Sequence, residues 1–199
     1  VVLSADRMRR EGKKIIGLTG GLYDEPSLPW KSVQEILGEA DKEAWMQMLQ
    51  YGGPRGTDEL RRELSKFMAS YGITANPENQ IIVTTGSQEA IDLSTRVFLD
   101  EGDVLIVGDP TYLAALTAFK QLNPEIHGAE IDEDGMNPDS LEDIIKKVKK
   151  EGKKLKLLYL VPSYQNPTTP ILSMDRRERI LELAEEYDFL ILEDNPYGY

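Results

Sequence analysis

Short strand-forming apolar runs alternate along this chain with longer amphipathic stretches, and that alternation restricts the fold more than any other feature. The runs are Ile81–Thr85, Val104–Val107, Ile126–Ile131, Leu155–Val161 and Phe189–Leu192. Several are continuously hydrophobic, as strands covered on both faces must be. Helical patterns occupy 87–99, 112–121, 139–151 and 173–187, after two near 32–50 and 57–70. Strand–helix–strand repetition predicts an α/β fold, a mainly parallel sheet with right-handed crossovers and flanking helices. Ser32 with Glu35 reads as a capping box, and Asn137 before Pro138 reads as a helix start. Gly152, after a lysine-rich helix end, reads as a C-terminal cap. The Gly- and Pro-rich stretch 17–29 is expected to be irregular.

Composition narrows the function. Against 35 acidic residues stand 23 Lys and Arg, a net charge of −12. A general nucleic-acid binder needs the opposite surplus to neutralise phosphates. The chain has no cysteine, which removes disulfides, thiolate nucleophiles and Cys-ligated metals. One histidine, His127, leaves no poly-His site, and its place in a strand makes it structural or exposed. No apolar run reaches the ~18 residues of a membrane span, and Val1–Arg7 lacks a signal-peptide profile. A cytoplasmic enzyme or regulator is expected. The seven lysines from Lys146 to Lys156 read as a solvated helix end. Asp132-Glu133-Asp134-Gly135 reads as a turn rather than a calcium loop. Proline excludes Asn166-Pro167-Thr168 as a glycosylation site.

Ligands of open α/β sheets bind at the carboxyl ends of the strands, and four of the runs end on polar or aromatic residues. Gly86-Ser87-Gln88 turns into a helix, where backbone N–H groups, the Ser87 hydroxyl and the helix dipole can hold a phosphate; the plainer reading makes Ser87 an N-cap. Tyr112, after Asp109-Pro110-Thr111, can stack on a flat ring or pack in the core. Asn166, held extended by Pro167, can present its amide to a cleft or belong to an ordinary turn. Asp194, at the end of an apolar strand, needs a cation or donors if buried, or caps a turn. Tyr197 lies three residues on and can donate to an oxyanion. A phosphate cradle, a stacking ring, an amide and an Asp/Tyr pair on one sheet edge suit pyridoxal 5′-phosphate.

The chain resembles the fold-type I pyridoxal-phosphate aminotransferases, in the branch with aromatic, 2-aminoadipate and kynurenine aminotransferases. The resemblance rests on Gly20-Gly21-Leu22, Gln50-Tyr51-Gly52-Gly53-Pro54-Arg55-Gly56 with Leu60-Arg61, and Thr84-Thr85-Gly86-Ser87-Gln88-Glu89-Ala90-Ile91-Asp92-Leu93. Asp109-Pro110-Thr111-Tyr112, Gln165-Asn166-Pro167 and Glu193-Asp194-Asn195-Pro196-Tyr197-Gly198 complete it, in the family's order across nearly the whole chain. It implies an N-terminal arm and substrate-side loop over 1–30 and the first part of the large, cofactor-binding domain over 31–199. It also implies that Asp194 keeps the pyridine nitrogen protonated and that Asn166 and Tyr197 bond the ring oxygen. Tyr112 would stack on the ring, Ser87 and Gln88 would bind the phosphate, and the Gly21 backbone would line the substrate carboxylate pocket. Tyr51 would reach the phosphate in the partner subunit of a homodimer. An amino acid and a 2-oxo acid would be the substrates, with no nucleic acid, membrane or metal involved.

Two stretches depart from that pattern: Thr168-Thr169 follow Asn166-Pro167 where a small residue and then glycine are usual, and Tyr23 and Glu25 stand where the family carries prolines. The family's cofactor-bonding lysine and carboxylate-binding arginine lie beyond the Asp/Tyr motif, so the resemblance implies that this is the N-terminal part of a longer enzyme, inactive by itself. The rival readings are an aminotransferase-like effector domain of a transcription regulator and a non-catalytic α/β protein.

Overall fold

Alternation of side chains along the central strands sets the layers. The structure, a computed structural model, describes residues 2–15, 23 and 25–198. Its chain divides into two compact units, Val1–Gly52 and Gly53–Tyr199.

In the first unit, α1 (Val2–Arg10), α2 (Trp30–Glu39) and α3 (Lys42–Met48) are separate helices, with a short 3-10 turn at Glu25–Ser27. The single helix expected over 32–50 is broken at Ala40, because Asp41 caps a new start, its carboxylate accepting the Ala44 N–H at 2.8 Å. Nor do Ser32 and Glu35 form the expected capping box. Helix α2 begins two residues earlier behind Pro29, with no side-chain cap, which leaves Ser32 inside the helix.

The second unit follows α4 (Asp58–Ser70) and α5 (Ser87–Phe98) with β1 (Val104–Asp109), α6 (Leu113–Phe119), β2 (Glu125–Asp132) and β3 (Gly135–Met136). Next come α7 (Pro138–Lys150), β4 (Leu155–Leu160), α8 (Met174–Tyr187) and β5 (Leu190–Glu193). The sheet order is β3-β2-β1-β4-β5, parallel except for the β2–β3 hairpin. Val104, Ile106, Leu158 and Leu160 face a core built with Leu141, Ile145 and Val148 of α7 and Ile180 and Leu183 of α8. Leu105, Val107, Leu157 and Tyr159 face the other way, onto Ile91 of α5 and Ala115, Ala118 and Phe119 of α6. Two-sided burial is why these strands read as unbroken apolar runs, each large side chain contributing about 1.5–3 kcal/mol. One polar interruption, Lys156, sits where the β1–β4 register shifts. Val104 pairs with Leu155 and Leu105 with Leu157, so the lysine is bulged out to solvent while both leucines stay buried.

The expected strand over Ile81–Thr85 does not form among the described residues. Its apolar residues have strand propensity but no ladder partner; Ile81 is buried, Ile82 is exposed, and Val83 donates its N–H to the Arg55 carbonyl at 3.1 Å. Local sequence sets propensity, whereas pairing depends on a neighbour.

The helix-end signals over 137–152 hold. Asn137 accepts from the Asp139 and Ser140 N–H groups ahead of Pro138. Gly152 takes φ +75° while Lys153 N–H reaches the Val148 carbonyl and Gly152 N–H that of Lys149, a Schellman ending. Of the seven lysines, Lys146 pairs with Glu142, Lys153 with Glu125 and Glu151, Lys154 with Asp188 and Lys156 with Asp103. The Asp132–Gly135 segment is the β2–β3 turn, where the Asp132 carboxylate takes both arms of Arg176 at 2.6 and 2.8 Å. That guanidinium holds the Asp132 carboxyl below the usual aspartate range. His127 bonds Glu125 at 2.8 Å, a structural role.

Candidate active site

The start of α5 and the loops that follow β1, β4 and β5 are tied to one another by side-chain contacts. Helix α5 opens on Gly86, whose φ of +80° suits glycine, and no side chain caps it. Its first-turn N–H groups therefore lack intrahelical partners and point along the positive end of the helix dipole. Ser87 is the first helical residue, not the cap, and its exposed hydroxyl makes no hydrogen bond among the described residues. Gln88 turns sideways, donating Nε2 to the Ala114 carbonyl of α6 at 3.0 Å. That bond ties the α5 start to the segment opened by Tyr112, which caps α6 and packs its half-buried ring against the α5–α6 core.

Gln165 makes the next tie. It is 4% exposed, and its Nε2 donates to the Pro110 carbonyl at 2.8 Å while its Oε1 accepts from the Thr168 N–H at 3.0 Å and from the Thr168 hydroxyl. The loop after β1, carrying Tyr112, is thus fixed to the loop after β4, carrying Asn166. Both loops contain a cis proline, at Pro110 and Pro167. The Asn166 side chain is exposed and makes no hydrogen bond among the described residues.

Asp194 follows β5 directly, its N–H donating to the Leu160 carbonyl at 2.8 Å. The Tyr159 hydroxyl donates to Asp194 Oδ2 at 2.7 Å, and no described group donates to Oδ1. Tyr159 is 1% exposed, its ring edge-on to Phe119 at 5.2 Å. Burial first, and the Asp194 carboxylate second, push its phenol well above the ordinary tyrosine value, so it remains a donor. Tyr112 packs against the same core that contains Tyr159, whose hydroxyl meets Asp194. Tyr197 meets Tyr164 edge-on at 6.5 Å, joining the loops after β4 and β5. Asn195 Oδ1 is buried without a hydrogen-bond partner among the described residues, and its amide lies so close over Gly198 that there is no room for a Cβ there.

Ser87, Gln88, Tyr112, Asn166, Asp194 and Tyr197 are therefore gathered at one edge of the second unit. Tyr51 belongs to the first unit and is 99% exposed. Gly21 lies outside the described residues.

The aminotransferase class I and II family model matches residues 13–199. The chain belongs to this family. Among curated class I and II relatives, aromatic-amino-acid aminotransferase 1 of Thermococcus litoralis is 43% identical over 188 residues, 94% of this chain and 45% of that protein. The 2-aminoadipate transaminase of Thermus thermophilus is 33% identical over 92% of the chain and 43% of its own length. The crystal structure of Pyrococcus horikoshii kynurenine aminotransferase, in complex with PMP, superposes with a TM-score of 0.90 at 41% identity, covering all of this chain and 49% of that one. The chain thus spans about half the length of the aminotransferases it matches. No described helix is long and apolar enough to cross a membrane.

Within this aminotransferase frame, sequence reasoning missed the roles of Tyr159 and Gln165. Tyr159 carried one signal, a polar tip within the buried stretch Leu157–Leu160; Gln165 carried none beyond its place beside Asn166. The family departure at Thr169 leaves a mark: its φ is +74°, left-handed backbone that a β-branched residue enters at a cost of about 1–2 kcal/mol. Its side chain is exposed. Thr169→Gly is expected to stabilise the fold by about 0.5–1 kcal/mol, relief of strain less the entropy glycine adds to the unfolded chain. A urea midpoint moved upward at constant slope checks it; an unchanged or lower midpoint counts against strain at this position.

Proposed function

We propose that the full-length protein is a cytoplasmic, homodimeric aminotransferase that uses pyridoxal 5′-phosphate. It moves the amino group of an L-amino acid (aromatic, 2-aminoadipate or similar) to a 2-oxo acid such as 2-oxoglutarate. One observation carries the reading: a free helix start, an aromatic ring, an amide and a carboxylate with one open oxygen share a single sheet edge in a member of this family. The kynurenine aminotransferase and 2-aminoadipate transaminase relatives support the substrate class.

The donor set suits such a cofactor. The uncapped α5 start and the Ser87 hydroxyl offer neutral donors and a positive dipole end to a phosphate. The exposed edge of the α5–α6 core at Tyr112 offers an apolar face to a ring. Asp194 Oδ1 offers a charge-assisted acceptor.

We assign Ser87 and the first-turn N–H groups of α5, with Gln88, to the phosphate, and Tyr112 to stacking on the ring. Asp194 holds a proton on the pyridine nitrogen, and Asn166 and Tyr197 bond the ring oxygen. The bound cofactor supplies an electron sink for the charge left when a substrate loses its α-proton. Gly21 contributes backbone to the substrate carboxylate pocket, and Tyr51 serves the phosphate site of the partner subunit. In this reading residues 1–30 form an arm and 31–199 the first part of the cofactor domain.

Absorbance tests it. Full-length protein mixed with the cofactor is expected to show a visible band that an aromatic amino acid or 2-aminoadipate bleaches and 2-oxoglutarate restores. A band without turnover would turn the reading toward a regulator, and no band would end it.

A further inference from the structure

We infer that Tyr159 is a positioning residue for the cofactor's ring nitrogen, acting through Asp194. The inference rests on the proposed use of pyridoxal 5′-phosphate. Asp194 is set by three restraints. Its backbone N–H is held by the Leu160 carbonyl, its Oδ2 by the Tyr159 hydroxyl at 2.7 Å, and its Cα by the β4–β5 ladder, in which Tyr159 pairs with Leu192 and Leu160 with Glu193. Of these, only the Tyr159 hydroxyl fixes rotation about the side-chain bonds. A free carboxylate samples two broad, equivalent orientations about its terminal torsion. Pinning Oδ2 leaves Oδ1, which has no described donor, in one orientation. The pin is itself rigid: Tyr159 is fully buried, its ring edge-on to Phe119 at 5.2 Å, and its raised phenol pKa keeps the proton on the hydroxyl. The hydroxyl does not reach solvent, so it serves Asp194 rather than a substrate.

A purely structural tyrosine would merely satisfy its own buried hydroxyl. The two roles separate with 1-deazapyridoxal 5′-phosphate, in which carbon replaces the ring nitrogen. In full-length protein, Tyr159→Phe keeps the ring packing and removes the pin. It is expected to weaken pyridoxal 5′-phosphate binding about tenfold, the scale of an oriented hydrogen bond to a charged group, and to leave the affinity for the deaza compound unchanged. Equal weakening of both ligands, or of neither, overturns the inference. Asp194→Asn is the control. If it too fails to discriminate the ligands, the assignment of Asp194 to the ring nitrogen falls; if it discriminates and Tyr159→Phe does not, only the role of Tyr159 falls. Should Tyr159→Phe not fold, 3-fluorotyrosine at 159 alters the strength of the bond without a cavity. A changed preference between the two ligands supports the inference, and an unchanged one overturns it.

Discussion

Asp194→Asn in the full-length protein is expected to slow removal of the substrate α-proton by at least about a hundredfold, the usual cost of deleting one preorganised electrostatic contact, while the fold survives. Both halves follow from what surrounds the carboxylate. The amide has the same shape, and its oxygen can still accept from the Tyr159 hydroxyl, so the buried phenol keeps a partner. The Asp194 N–H to Leu160 bond is backbone and unaffected. What disappears is negative charge at the open oxygen and, under the proposed function, the reason for a proton to stay on the ring nitrogen. Asp194→Ala differs usefully, because it strands the Tyr159 hydroxyl in the core and adds about 1–3 kcal/mol of instability. Exchange of α-deuterium from substrate measures the chemical step, and thermal unfolding measures the fold. Wild-type exchange in Asp194→Asn would remove Asp194 from the chemistry.

Much of this molecule can be read from its sequence, and the failures share one cause. Strands β1 and β4 were legible because two-sided burial demands apolar runs, β2 and β5 from their place in the strand–helix alternation, and α7 because Asn137-Pro138 and Gly152 act on their own neighbours. The run Ile81–Thr85 has the same composition yet no ladder partner among the described residues. Ser32 has the right spacing to Glu35, but Pro29 starts the helix first. The residues after β1, β4 and β5 were likewise legible as a set, since chain order places them after parallel strands, whereas Ser87 and Gln88 follow a run that is no strand among the described residues. Their mutual ties were not. Whether Tyr159 meets Asp194 depends on the β4–β5 register, a relation between residues 35 apart that no local pattern encodes. The bond from Gln165 to Pro110 spans 55 residues.

That second tie carries the other large expectation. Gln165→Leu is expected to destabilise the fold by about 1–3 kcal/mol, because leucine fills the space but abandons the Pro110 carbonyl and the Thr168 N–H, part-buried hydrogen bonds worth about 0.5–1.5 kcal/mol each. Gln165→Glu isolates the contact between loops, since it keeps an acceptor for Thr168 but sets a carboxylate against the Pro110 carbonyl. Because Pro110 leads to Tyr112 and Gln165 to Asn166, either change also loosens the spacing between two residues that the proposed function assigns to the cofactor. Asn166→Ala supplies the contrast. Its exposed side chain makes no hydrogen bond among the described residues, so stability should hold while cofactor binding weakens. Urea unfolding paired with cofactor titration distinguishes them: Gln165 variants lose both quantities together, Asn166→Ala only the second. A Gln165→Leu protein as stable as wild type would mean that the two loops are held by their own backbones, and that the amide between them is incidental.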